Sequence, residues 1–149
     1  MRDLANNISV AQSIAPVVGS SDTNGTGIDL QGFESATIVV DTGVEGDTLS
    51  SSVKVDFILQ DSTDNSSFSA VTSNSLVTDG AVDSSGIFLT LDANGETPQV
   101  TSIGYVGGAR YIRVVADHTG THSNGSPYGV TVIKSHPRHN TDADTSSTV

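Results

Sequence analysis

The four histidines are the residues of this sequence that most invite a chemical role, since imidazole is a common metal ligand. His118 and His122 are four residues apart, and His136 and His139 flank a Pro-Arg pair. A four-residue spacing chelates a metal well on a helix, but the Thr-Gly-Thr between His118 and His122 indicates a loop. No Cys occurs, and no acidic residue stands at ligand spacing from His136 and His139. We therefore expect surface histidines, with no metal and no cofactor.

A second cluster of ligand-like side chains is acidic. Asp61, Asp64 and Asn65 place oxygen ligands close together on a predicted loop, loosely as in a calcium site. The EF-hand spacing, with a Glu at its twelfth position, is not met. Asp, Asn and Ser are also ordinary turn residues, because their side chains bond to their own backbone. We expect a turn here, and a weak structural calcium stays open as the alternative.

Catalytic motifs are missing from the sequence. It contains no G-x-S-x-G, P-loop or H-E-x-x-H pattern, and without Cys it has no thiol nucleophile. The three glutamates, Glu34, Glu45 and Glu96, fall in or near turn-like segments where carboxylates stay solvated. A glycosidase would need two carboxylates facing each other across a cleft, a geometry that no sequence spacing shows. We expect that the chain is not an enzyme.

Arg110 and Arg113 carry two of only six positive charges, and Tyr111 lies between them. On a strand, residues three apart point to opposite faces. The arginines either pair with some of the 17 acidic residues or belong to an interface, because Arg and Tyr are enriched where proteins dock. Arg110, Tyr111 and Arg113 are therefore candidate interface residues.

The elements that must position these side chains are predicted to be strands. Apolar residues alternate with polar ones, as in strands with one buried face, at 36–40, 53–60, 87–91, 112–116 and 128–132, with shorter runs at 28–30, 68–71 and 100–106. Gly107-Gly108 separates two runs by two residues and predicts a tight hairpin. About eight short strands with turns between them predict an all-β fold, an antiparallel β-sandwich of jelly-roll or immunoglobulin-like type. A closed barrel is the main alternative.

The two ends of the chain differ from its middle. We expect an extended N-terminal arm at 1–22, a sandwich domain at 23–134 and a polar C-terminal tail at 135–149. Ile8, Val10 and Ile14 alternate within the arm and are candidate anchors for a neighbouring subunit. The local structure is ambiguous, because Leu4, Ile8, Ala11 and Ala15 also fit one face of a helix. On this interpretation, deletion of residues 1–20 leaves the sandwich folded.

The acidic composition of the chain indicates which classes of binding partner to expect. The 149 residues carry a formal net charge of -11, with an isoelectric point near 4.3. An acidic surface repels phosphate backbones and anionic lipids, so we expect no nucleic-acid and no membrane partner. No apolar run approaches the ~20 residues that span a bilayer, and the N-terminus lacks the apolar core of a signal peptide.

Several blocks, in order along nearly the whole chain, resemble small structural proteins of tailed-bacteriophage particles. The blocks are NNISV (6–10), SIAP (13–16), GTGIDLxGFxSA (25–36), LQDSxDxxxFxAV (59–71), YVGGxRYIRV (105–114) and HPRH (136–139). The resemblance implies a virion protein on the capsid surface, a decoration or cement protein. Its partner would be the major capsid protein, and it would form a homo-oligomer, with a trimer as the working guess. The resemblance supplies no catalytic residues.

Two alternatives remain open at the level of sequence. One keeps the chain in the virion but at the neck or tail, as an adaptor or fibre-base protein, and copy number would distinguish it. The other is a carbohydrate-binding β-sandwich module used in adhesion. Such modules present aromatic platforms to sugar rings, and only Tyr105, Tyr111 and Tyr128 are plausible here, since the chain has no Trp.

Overall fold

The computed structural model describes residues 4–138 and shows two antiparallel β-sheets packed face to face. Its strands are β1 (Ile8–Gly19), β2 (Thr23–Asn24), β3 (Ile28–Asp29), β4 (Phe33–Thr42), β5 (Lys54–Ser62), β6 (Ser69–Ala70), β7 (Val77–Thr78), β8 (Ile87–Leu91), β9 (Gln99–Tyr105), β10 (Tyr111–Thr119) and β11 (Ser126–Pro137). Short 3-10 turns occur at Ala5–Asn7, Asn74–Leu76 and Asn94–Glu96. Across residues 4–138, no helix has the length and apolar character needed to cross a membrane.

The first sheet has five strands in the order β1-β11-β4-β9-β7. The second has β10 and β5 at its centre, with β2 and β3 pairing β10 on one side and β6 and β8 pairing β5 on the other. The all-β, antiparallel sandwich predicted from the sequence is confirmed.

The core lies between the two sheets and is built from the side chains of each long strand that point inward. Ile38 and Val40 of β4, Phe57 of β5, Val114 of β10 and Val130 of β11 are fully buried. Alternation in the sequence predicted these inward positions, because successive side chains of a strand point to opposite faces. The run at 87–91 fits less well. Its strand β8 lies at a sheet edge with an irregularity in its pairing, and of its apolar residues Leu91 alone is fully buried.

The N-terminal segment is not a separate arm. Residues 8–19 form β1, which pairs with β11 from Ile8 opposite Ser135 to Gly19 opposite Ser126. Ile14 is 4% exposed and belongs to the core, so it cannot serve as an anchor for another subunit. The prediction of an arm ending near residue 22 is therefore wrong for this segment. Pairing of β1 with a strand more than 100 residues away leaves no local signal in the sequence.

Two further boundaries differ from the sequence prediction. The last strand β11 continues to Pro137, so residues 135–137 belong to the sandwich and not to a tail. His139 and the rest of the predicted tail lie outside the described residues. Gly107 and Gly108 do not form a hairpin, because β9 pairs in the first sheet and β10 in the second. The glycines lie in the connection that passes between the sheets.

Candidate functional site

The outer surface of the five-stranded sheet carries an exposed apolar area that we call the valine face. It consists of the exposed residues Val10, Pro16, Val17, Val18 and Val100 and of the half-buried residues Val39, Pro127 and Ile133. Val100 is 67% exposed and Val10 is 46% exposed. A groove of about 730 Å³ runs across this face, with Asp41 as its one charged lining residue in the described chain. Contiguous exposed apolar surface of this kind marks an interaction site more often than isolated exposed side chains do.

Irregular pairing of β1 produces one wall of the groove. The register of β1 against β11 shifts between Gln12 and Ile14 and again between Ile14 and Val17. After these bulges the inward-outward alternation is lost, and Pro16, Val17 and Val18 are all exposed. Such bulges re-aim side chains and also blunt an edge strand against unwanted pairing.

A glycine forms part of the groove floor. Gly129 faces outward on β11, and a Cβ added there would lie 3.3 Å from Cγ of Pro16. The absence of a side chain at position 129 therefore lets Pro16 lie close to the sheet and keeps the groove open between β1 and β4. A larger residue at this position would fill the groove.

The predicted interface arginines lie at the end of the sandwich where β10 begins, near Lys134 and Arg138, and we call this the basic end. Arg110 forms a bidentate ion pair with Asp29, with Nη2 2.7 Å from Oδ2, and its guanidinium lies 5.0 Å from the ring centroid of Tyr111. The same guanidinium lowers the pKa of Asp29. Arg110 thus has an acidic partner within the chain, one of the two roles that we expected for it.

Arg113 is held by a different pair of neighbours. Its Nε donates to Oε1 of Gln60 at 2.8 Å, and its guanidinium lies 4.2 Å from the ring centroid of Phe68. The guanidinium is attracted to the face of the Phe68 ring by this cation–π contact. Tyr111 and Arg113 share the outer face of β10, so the structure brings the predicted residues together. An interface role for them stays a prediction.

The contacts of the basic end join blocks that are far apart in the sequence. The Arg110–Asp29 pair links block 105–114 to block 25–36, and Arg113 links block 105–114 to Phe68 in block 59–71. Tyr105 donates its hydroxyl to Asp61 at 2.7 Å, which is a second link between the same two blocks. Three of the six blocks, at 25–36, 59–71 and 105–114, therefore contact one another at the basic end.

The acidic cluster at 61–65 forms a turn. Asp64 Oδ1 accepts hydrogen bonds from the backbone N–H groups of Ser66 and Ser67 at 2.9 and 2.8 Å and from the Ser62 hydroxyl. These donors lower the pKa of Asp64 to about 2. Asp61 binds the Tyr105 hydroxyl instead of facing Asp64 as a shared ligand pair. The geometry supports the turn that we expected over a calcium site.

His118 and His122 are not surface histidines. Their rings pack edge to face with centroids 4.9 Å apart, and His122 is 4% exposed. Burial, and to a smaller extent the neighbouring His122, lowers the pKa of His118. His118 is half-buried beside the rings of His122 and Tyr128, and both of its ring nitrogens are buried. The expectation of solvent-exposed rings is wrong for this pair.

Glu45, Asp47 and His122 form a cluster that was not predicted from the sequence. Their potential ligand atoms all lie within 4.8 Å of one another. The two carboxylates come from the loop between β4 and β5, and the histidine comes from the loop between β10 and β11. His122 is more than 70 positions from both carboxylates, so spacing could not have joined them. The one local signal is the turn pair Asn124-Gly125, two residues after His122, in which Gly125 has a positive φ.

No protein-family model matches this chain, and no curated protein matches its sequence.

Proposed function

We propose that this chain is a structural, non-catalytic virion protein that binds the outer surface of a tailed-phage capsid and stabilises it. The valine face is the observation that carries the proposal. Apolar side chains exposed side by side on a rigid sheet are suited to docking against another protein, where their burial stabilises the complex by about 25 cal/mol per Å². The ordered phage-like blocks suggest the capsid shell as the partner.

The carbohydrate-binding alternative receives less support from the geometry. Tyr105 and Tyr128 are 2% and 3% exposed and lie in the core, so neither offers a flat ring to a sugar. Of the three tyrosines that this alternative needs, Tyr111 alone faces outward, with the Arg110 guanidinium near its ring. A sugar platform needs accessible ring faces.

Two exposed valines, Val100 near the start of β9 and Val106 directly after its end, give a matched test of the valine face. Val100→Asp places a charge in the groove, whereas Val106→Asp places the same charge outside the valine face, on the connection to β10. We expect capsids lacking this chain to bind wild-type protein and V106D to similar levels. V100D should bind at least tenfold less, because its carboxylate must be desolvated at the interface. Equal binding of V100D and V106D would show that the valine face is not the docking surface.

Copy number tests the function independently of the surface. In purified particles, quantitative mass spectrometry should find this chain within a few-fold of the major shell protein if it forms a decoration layer. A ratio of a few per cent would favour the neck or tail adaptor instead. Absence of the chain from particles would refute a virion role of either kind.

A further inference from the structure

Two loops meet over His122 at the end of the sandwich opposite the basic end, which we call the acidic end. Glu45 and Asp47 approach from the loop that follows β4, and His122 approaches from the loop that precedes β11. The three potential ligand atoms lie within 4.8 Å of one another, while the carboxylates remain half-exposed and the histidine is buried. A buried imidazole therefore lies beside two half-exposed acidic groups.

Hydrogen bonding requires a proton on Nε2 of His122. Nε2 lies 3.3 Å from the carbonyl oxygen of Lys54 and 3.2 Å from that of Thr119. Carbonyl oxygens only accept hydrogen bonds, so Nε2 must be the donor. In the neutral ring, Nδ1 then holds an unprotonated lone pair. A histidine whose second nitrogen donates to a backbone carbonyl has the usual orientation of a metal ligand.

Among the described residues, Nδ1 has one hydrogen-bonding neighbour, and that neighbour is shared with a carboxylate. Its neighbour is the hydroxyl of Ser126 at 3.3 Å, and that hydroxyl also lies 3.1 Å from Oε1 of Glu45. A serine hydroxyl has one hydrogen and cannot donate to both groups. When it donates to Glu45, the buried lone pair of Nδ1 is left without a donor, which is costly in a protein interior. A cation between Nδ1 and the carboxylates would satisfy both.

Asp47 completes the set and is already fixed in place. Its carboxylate accepts from the backbone N–H groups of Asn124 and Gly125, at 2.9 and 3.0 Å to Oδ2, and from the Asn124 side chain at 3.1 Å to Oδ1. These bonds tie Asp47 to the turn that follows His122. Glu45 Oε1 accepts in turn from the backbone N–H of Asp47 at 3.4 Å. The two loops are thus joined around the cluster.

The electrostatic field at the acidic end attracts cations, because acidic residues outnumber basic ones there. Eight acidic residues lie there, against Lys54 as the one lysine or arginine of the described chain at this end: Asp22, Asp41, Glu45, Asp47, Asp56, Asp92, Glu96 and Asp117. Like-signed charge around a site raises the local concentration of counter-ions. This feature is independent of the His122 hydrogen bonds.

We propose that Glu45, Asp47 and His122 bind one divalent transition-metal ion, with zinc as the chemically best match. One imidazole nitrogen with two carboxylates is a donor set for zinc, whereas calcium and magnesium prefer oxygen ligands alone. Tetrahedral zinc holds its ligand atoms about 3.3 Å apart, and these atoms lie within 4.8 Å of one another, so the side chains need to close by up to about 1.5 Å. Water or the Ser126 hydroxyl would fill the fourth position. This proposal does not depend on the capsid function.

The test uses the full chain after treatment with a chelator, titrated with zinc chloride by isothermal calorimetry. We expect one saturable site and a higher melting temperature with zinc than without it. Glu45→Gln removes one ligand and should weaken zinc binding at least tenfold. Asp41→Asn is the matched control, because it removes one charge from the same end but lies outside the cluster. Its zinc affinity should stay within about threefold of wild type.

Several outcomes would overturn the proposal. Equal weakening by E45Q and D41N would mean that only the general acidic field attracts the ion. Unchanged stoichiometry and affinity in both E45Q and Asp47→Asn would place the ion elsewhere, as would loss of binding in His118→Gln alone. Calcium chloride binding as tightly as zinc would contradict the donor set. Nitrogen-15 NMR should show a zinc-dependent shift at His122 Nδ1, and an unchanged resonance would count against it even if a variant misfolds.

Discussion

Replacement of Ile14 by alanine tests whether β1 is part of the sandwich core or an arm that attaches to a neighbour. Ile14 is 4% exposed and lies opposite Val130 in the pairing of β1 with β11. The change removes three buried carbon atoms, each contributing about 0.8 kcal/mol, or about 2.4 kcal/mol in total. Incomplete collapse of the cavity adds to this, so we expect the free energy of unfolding to fall by about 3 kcal/mol.

Urea denaturation of the full chain measures this loss. With a urea dependence of about 2 kcal/mol per M for a domain of this size, the midpoint should fall by about 1.5 M. Val10→Ala is the control on the same strand, because Val10 is 46% exposed, and its midpoint should stay within about 0.3 M of wild type. If I14A unfolds at the same urea concentration as V10A, then β1 does not contribute to the core and the arm interpretation regains support.

Three other substitutions test the remaining contacts. Burial, and to a smaller extent the charge of Asp22, raises the pKa of Asp117, so ionisation of this carboxyl opposes folding as pH rises above the unfolded pKa near 3.8. Asp117→Asn should therefore raise the melting temperature at pH 7. An equal gain at pH 3, where the carboxyl is protonated in both states, would show that ionisation of Asp117 is not the cause. Tyr105→Phe removes the 2.7 Å hydrogen bond to the half-exposed Asp61. Urea denaturation should show a free energy of unfolding about 1 kcal/mol lower than that of wild type. An unchanged free energy would mean that water replaces the hydrogen bond at no cost. Gly125 has φ +77, and a Cβ added there would lie 2.7 Å from a methyl group of Val18, whereas Gly32 has φ +89 and no atom near an added Cβ. Gly125→Ala should therefore lower the melting temperature more than Gly32→Ala does. Equal losses would show that backbone strain alone determines the cost.

The strands could be predicted from the sequence because their signal is local. Ile38, Val40 and Val114 alternate with polar neighbours, and the inward face of a strand follows from that period alone. What a strand pairs with is a long-range property. In the segment at 8–19, apolar and polar residues alternate at first and the alternation then ends. This pattern fits an extended arm and an edge strand equally well. Only the pairing with β11 decides between them.

Turn signals carry the same ambiguity. Gly107-Gly108 allows the chain to reverse, but the dipeptide does not determine whether the next strand pairs with the last one or crosses to the opposite sheet. Here β9 pairs β4 and β10 pairs β5, so the turn changes sheets. The burial of His122 has a similar cause, since its loop is polar in sequence and is covered only because the loop after β4 packs beside it.

The loop after β4 borders the valine face and also carries two residues of the proposed metal site. Order at one site therefore affects the other, although each can exist alone. Gly43 lines the groove and donates its N–H to the carbonyl oxygen of Pro127 at 2.8 Å. Two and four residues later, Glu45 and Asp47 face His122. An ion that draws these carboxylates inward would therefore restrain the same loop that borders the groove. Because loops ordered in advance lose less entropy on docking, metal binding would favour attachment through the valine face, while the face itself would remain exposed and apolar without the ion.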